Sequence, residues 1–201
     1  MAAEEDTHQN AGALTEGQAE RMLAGMNEVI RAGEEMRKLR AEMIQLFAGF
    51  GWTQDKIAEL ADMSQPAVSK QMAKSRTDER LLPPMDLHLD QRDLPWLEGR
   101  LWGLAEEVSE TLDDGAHCSR YVHAFVRGRK RFTPKNVDEL RRLLEEDLRQ
   151  HQAQLPGGHR HAYDEISRRL DLPENITTTG SASVRRALAR EIQRDRLRGD
   201  A

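Results

Sequence analysis

Between Ser64 and Arg76 the chain carries Gln65, Ser69, Lys70, Lys74 and Arg76, and no carboxylate. An amide that both donates and accepts, a hydroxyl, two ammonium groups and a guanidinium suit a polyanion whose edges carry hydrogen-bonding groups. On a helix, Pro66, Ser69, Lys70, Ala73 and Lys74 share an outward face, with Gln65 on its flank near the N-terminal end. Val68 and Met72, one turn apart, point inward.

Such a helix needs a partner to hold it at the surface. The preceding residues supply one. Thr53 can cap a short helix whose inward side is Ile57, Leu60 and Ala61, with Ala58 small where a second helix must cross closely. Asp62 to Ser64 makes the turn, and Ser64 is the expected N-cap of the next helix. Pro66 falls in the first turn, where backbone N–H groups lack helical partners anyway. The plainer alternative is a helical hairpin whose alanines merely pack.

The stretch "QDKIAELADMSQPAVSK" resembles the helix-turn-helix of bacterial transcriptional regulators and of the sigma-factor domain that binds the upstream promoter element. Gln54, Ile57-Ala58, the turn before Ser64 and Val68-Ser69 carry the resemblance, which spans roughly Gly49 to Arg76. Asp62 stands where that family usually has glycine, although aspartate tolerates the left-handed conformation better than most residues. The resemblance implies that the second helix lies in the major groove with its N-terminal residues near base edges. Gln65 would then read adenine, Lys70 would donate to guanine, and Ser69 would reach a base or a phosphate. Thr53 and Gln54, at the start of the first helix, would meet phosphate, as would Lys74 and Arg76.

Two further segments could touch DNA. "RYVHAFVRGRKRFTPK" clusters Arg127, Arg129, Lys130 and Arg131 around Gly128, and its six basic residues face no acidic one. Its aromatics Tyr121, Phe125 and Phe132 read as core. Residues Tyr163 to Ile192 loosely resemble a second helix-turn-helix, with Ser181, Ser183, Arg185 and Arg186 at its groove-facing end. A terminal packing or dimer helix is the competing reading of that segment.

The histidines His117, His123, His159 and His161 and the single Cys118 show no repeated metal-ligand spacing, so no metal and no cofactor are expected. Enzyme motifs are missing as well: there is no phosphate-cradling glycine loop, nucleophile elbow or His-Glu-x-x-His. One cysteine, an acidic start without an apolar leader core and no membrane-length apolar run lead to the expectation of a cytoplasmic protein.

The formal net charge of −5 over 201 residues does not argue against DNA, because the charge is unevenly placed. Nine acids against two arginines lie between Leu81 and Cys118, and six arginines lie between Ser181 and Arg198. The acids at 106, 107, 110, 113 and 114 read as a solvated helix face, and the 86–114 segment as a possible contact for RNA polymerase or another protein.

Few aromatics and many Leu, Ala, Glu and Arg predict an all-α fold. The expected organisation is an acidic tail (1–17), a helix-turn-helix domain (18–78), a proline-rich linker (79–95) and a helical C-terminal domain (96–201). In the first domain a Met/Leu stripe from Leu23 to Phe47 is a candidate dimer seam or core face, and Gly33 a point where its helix could divide. In the last domain Leu97, Leu101, Leu104, Val108 and Leu112 form one stripe, and Val137, Leu140, Leu144 and Leu148 another. The expected function is sequence-specific binding of double-stranded DNA by a homodimeric transcriptional regulator. The alternatives are a DNA-binding component of a larger assembly, in sigma-like promoter recognition or plasmid replication and partition, and a helical protein-interaction module.

Overall fold

The computed structural model describes the backbone of residues 16–75, 88–173 and 181–199, and their side chains except those of 16–32, 74, 75 and 114. Among these residues there are eight α-helices and no strand. In chain order they are α1 (Glu16–Gly49), α2 (Gln54–Leu60), α3 (Gln65–Ser75), α4 (Leu94–Thr111), α5 (Ser119–Val126), α6 (Pro134–Gln150), α7 (Gly157–Asp171) and α8 (Ala182–Gly199). A 3-10 turn at Asp113–Gly115 joins α4 to α5.

α1 runs unbroken through Gly33, so the division expected there does not occur. An interior glycine costs a helix only about 1 kcal/mol relative to alanine. The helix ends at Gly49 instead, and Gly51, at φ = +81°, lets Trp52 N–H reach the Phe47 carbonyl at 3.1 Å. α2 then starts on Thr53, whose hydroxyl accepts from Lys56 N–H at 3.3 Å, and α3 carries Pro66 in its first turn. Ile44, Ile57, Ala58 and Val68 are buried together, with Phe47, Trp52, Met63 and Met72 packed around them. The inward reading of Ile57 and Val68 therefore holds. That of Leu60 does not: it is 65% exposed, because the short α2 turns only one narrow side to α1 and α3.

The C-terminal unit is built around α4. Leu97, Leu101, Leu104 and Val108 are fully enclosed by α5, α6, α7 and α8. Val137, Leu140, Leu144 and Leu148 face them from α6, whose cap is Thr133 with Pro134 at the first position. Phe125 stacks on Phe132 at 4.3 Å, and Trp102 packs against both, so these rings serve the core. α8 lies directly on α4: a Cβ added at Gly99 would sit 2.3 Å from the Arg186 carbonyl oxygen, and one at Gly103 would sit 2.4 Å from that of Arg190. Two glycines one turn apart thus let the backbones touch.

Close backbones bring the charged flanks together. Glu106 and Glu107, read from sequence as a solvated face, are 4% and 7% exposed. Arg190 meets Glu106 at 2.5 Å, Arg194 reaches Glu106, Glu107 and Glu110, and Arg198 reaches Glu107 and Glu110. The acidic and basic segments neutralise each other. Within 86–114, Asp93 and Glu98 are also buried and paired with Arg185 and Arg186, while Asp90, Glu110 and Asp113 stay exposed.

The two units meet where Leu46 of α1 and Val184 of α8 are buried together, flanked by Leu39, Met43 and Leu188. Part of the α1 stripe considered as a dimer seam is therefore covered within the chain. Of the expected linker, the described residues 88–93 are fastened to the C-terminal unit: Arg100 donates to the Leu89 carbonyl at 2.8 Å, and Asp93 caps α4.

Candidate nucleic-acid interface

The turn between α2 and α3 decides how α3 is presented. Ala61 closes α2, and Asp62 takes φ = +51°, the left-handed conformation for which glycine would be the usual choice. Met63 N–H then bonds the Ala58 carbonyl at 2.9 Å and Asp62 N–H that of Glu59 at 3.4 Å, satisfying two orphan carbonyls at the end of α2. The Ser64 carbonyl accepts from Ala67 and Val68, starting α3. Val68 and Ala58 are buried at the crossing, so the outer side of α3 is fixed.

That side holds Gln65, Pro66, Lys70 and Ala73, all exposed, and the half-buried Ser69. Gln65 donates through Nε2 to Oε1 of Gln54 at 2.8 Å, which ties the first residue of α3 to the first residue of α2. One amide N–H and the carbonyl oxygen of Gln65 remain, the complement of an adenine N6/N7 edge. Lys70 has no carboxylate partner among the described residues. Thr53 and Ser64 are exposed at the two helix starts, and Asp55 in the first turn of α2 places one negative charge there. Lys74 extends the same helix, its side chain outside the described residues, as is the whole of Arg76.

Behind this face, Trp52 stacks on Phe47 at 4.8 Å and carries Lys56 Nζ 4.3 Å from its ring centroid. These contacts brace α2 against α1. The spacing of Gln54 and Gln65, one at each helix start, is the sequence signal for their pairing, and nothing in the local pattern announces it beyond that.

The second basic segment lies apart, on the C-terminal unit. Gly128 at φ = +64° turns the chain after α5 and brings Arg129 N–H to the Ala124 carbonyl at 2.8 Å. Arg127 and Arg129 are exposed and without ion pairs among the described residues. Lys130 rests over Tyr121, and Arg131 lies 3.7 Å from Glu35 of α1.

The third set is not a groove-facing end. Arg185 is 3% exposed and bonded to Asp93 and Gln91, with its guanidinium over Trp96. Arg186 pairs with Glu98 at 2.5 Å and lies over Phe132. The Ser181 hydroxyl bonds Glu42 and accepts from Val184 N–H, leaving only Ser183 exposed and unengaged. The physical reason is the glycine seam: α8 presses its N-terminal half onto α4, so its arginines answer buried carboxylates rather than solvent.

His117 Nδ1 meets the fully buried Asp147 at 2.7 Å, and Asp147 also accepts from the backbone N–H of His117 and Cys118. Burial, followed by the Asp147 charge, pushes the Cys118 thiol far up, so it stays protonated and unreactive at neutral pH. No group of three His, Cys, Asp or Glu among the described residues is arranged to hold a metal ion. No described helix is long and apolar enough to cross a membrane.

Comparison of the chain with protein-family models, curated protein sequences and solved structures gave no match.

Proposed function

We propose that this chain is a sequence-specific binder of double-stranded DNA, acting in transcriptional regulation, and that it inserts α3 in the major groove. The observation that carries the reading is the outer face of α3, free of carboxylate, with Gln65 held in place by Gln54. Fixing that amide before binding lowers the entropy cost of ordering it on a base, by about 0.5–1.5 kcal/mol for a side chain of this kind. Lys70, and Lys74 in the next turn, add phosphate affinity without sequence information.

A lone helix-turn-helix covers too little DNA for tight specific binding, so two copies per site are expected, with half-sites about one helical turn apart. The exposed arginines 127 and 129 are available for further phosphate contacts.

The test is selection of bound duplexes from random DNA, followed by titration of the selected site over a salt series. The reading expects a two-fold symmetric site and a steep fall of affinity with salt. Lys70→Ala and Lys74→Ala each lower the log–log slope by about 1. Binding that is absent or insensitive to salt overturns it.

A further inference from the structure

α1 and α2 leave an apolar groove of about 460 Å3 between them, on the side of the helix-turn-helix unit that α3 does not fill. Its floor is Met43, Ile44, Phe47 and Ile57. Its lips are Met36 and Leu60, 55% and 65% exposed, one on each helix. A single exposed aliphatic is ordinary, but two that line one open apolar groove leave a patch that water covers badly. Arg37 and Arg40 also line it, one helical turn apart, and neither has an ion-pair partner among the described residues. Among the described residues no carboxylate lines it.

We infer that this groove docks an amphipathic helix of another protein, one that carries carboxylates beside its apolar anchors. A trough between two helices takes apolar side chains presented at i and i+4 by a third helix. Arg37 and Arg40 repeat at i and i+3, the spacing at which a docked helix would present acidic residues to form bidentate pairs.

A second copy of the chain fits less well, since a two-fold contact through this face brings Arg37 and Arg40 of both copies together. Nucleic acid also fits less well. The apolar floor offers phosphates nothing, and Trp52 has no free face for a base, with Phe47 stacked on it and Lys56 over it. The groove and the outer face of α3 are separate surfaces, so the docked helix does not compete with DNA.

The experiment uses the full chain and a fluorescein-labelled helical peptide of about four turns, with leucines at i and i+4 flanked by glutamates. Two companion peptides carry lysine for glutamate, or alanine for leucine. Fluorescence anisotropy should show binding of the first peptide and neither companion. The double reversal Arg37→Glu with Arg40→Glu should weaken that binding about tenfold or more. Leu60→Glu should abolish it. All three positions are exposed, so thermal melting of these variants should match the parent, which separates a lost site from a lost fold.

Equal binding of the lysine peptide, or binding untouched by the charge reversal, overturns the proposal. So does concentration-dependent self-association, measured by sedimentation, that Leu60→Glu removes, which would assign the groove to a second copy. Duplex DNA binding lost on reversal of Arg37 and Arg40, with no peptide bound, would assign it to nucleic acid. DNA binding that depends on Lys70 while the peptide fails to bind overturns this inference and leaves the reading of α3 intact.

Discussion

Gln65 Nε2 donates to Gln54 Oε1 at 2.8 Å, so the first side chain of α3 is oriented by the first side chain of α2. The contact is made between exposed and half-buried groups, and its worth for folding is small. Its consequence is for recognition. Gln54→Ala should weaken DNA binding by about 0.5–1.5 kcal/mol, the cost of ordering Gln65 at the moment of contact. Gln65→Ala should cost about 1–3 kcal/mol and relax the preference at a single base pair. Titration of the selected duplex and of its single-base variants distinguishes the two.

Asp62 occupies φ = +51° between those helices, where a side chain with branching at Cβ is strained. Asp62→Val should destabilise the protein by about 1–2 kcal/mol. Asp62→Gly should be close to neutral, because the relief of strain is offset by the wider freedom of glycine in the unfolded chain. Urea unfolding followed by circular dichroism measures both.

Gly99 and Gly103 form the seam on which α8 sits, with carbonyl oxygens 2.3 and 2.4 Å from where a methyl group would go. Those atoms are backbone and cannot swing aside. Gly103→Ala should therefore cost about 3 kcal/mol or more, at the upper end of overpacking changes. Gly115→Ala meets nothing within 4 Å and should leave the urea midpoint nearly unchanged.

How much of this was legible in the sequence depends on how far apart the cooperating residues lie. Thr53, Thr133 and Pro134 mark helix starts through contacts within three residues, and the stripes Leu97 to Val108 and Val137 to Leu148 follow helical periodicity. Such local signals carry over into the fold. The charges did not read correctly, because Glu106 and Arg190 are 84 positions apart. Taken alone, each segment looks like a solvated surface of one sign. Only the glycine seam brings them face to face, and a glycine pair reads from sequence as helix weakness as easily as close packing. For the same reason Arg185 and Arg186 look like a basic helix end, although both are committed to carboxylates of α4 and its cap.

The Arg190–Glu106 contact makes a prediction with a pH signature. Burial holds the Glu106 carboxyl above its usual range despite hydrogen bonding and attraction from Arg190 and the attraction of Arg194. Removing Arg190 leaves this acid more poorly compensated. Arg190→Met should destabilise by at most about 3–5 kcal/mol near neutral pH, because Arg194 still reaches Glu106. The folded state binds the Glu106 proton more tightly than the unfolded state does. Stability of the variant should therefore fall as pH rises from 4.5 through the raised folded value, and recover on acidification. Adding Glu106→Gln should remove that dependence.

His159 gives the opposite slope. Its ring is buried in the first turn of α7 at 4% exposure, and neither nitrogen has a hydrogen-bond partner of good geometry among the described residues. Burial, only partly opposed by the Glu107 charge and the nearby Pro156 carbonyl, lowers its pKa below the usual 6.5. The folded state thus holds the neutral ring, and the unfolded state takes up the proton first. The stability associated with the neutral ring is complete above pH 6.5 and is lost as pH falls through the window between 6.5 and the lower folded value. His159→Phe fills a similar volume with no proton to gain. It should flatten the urea midpoint across that window, while Arg190→Met alone should leave the His159 slope in place. A midpoint that falls on acidification as steeply in His159→Phe as in the parent would assign the slope to other groups.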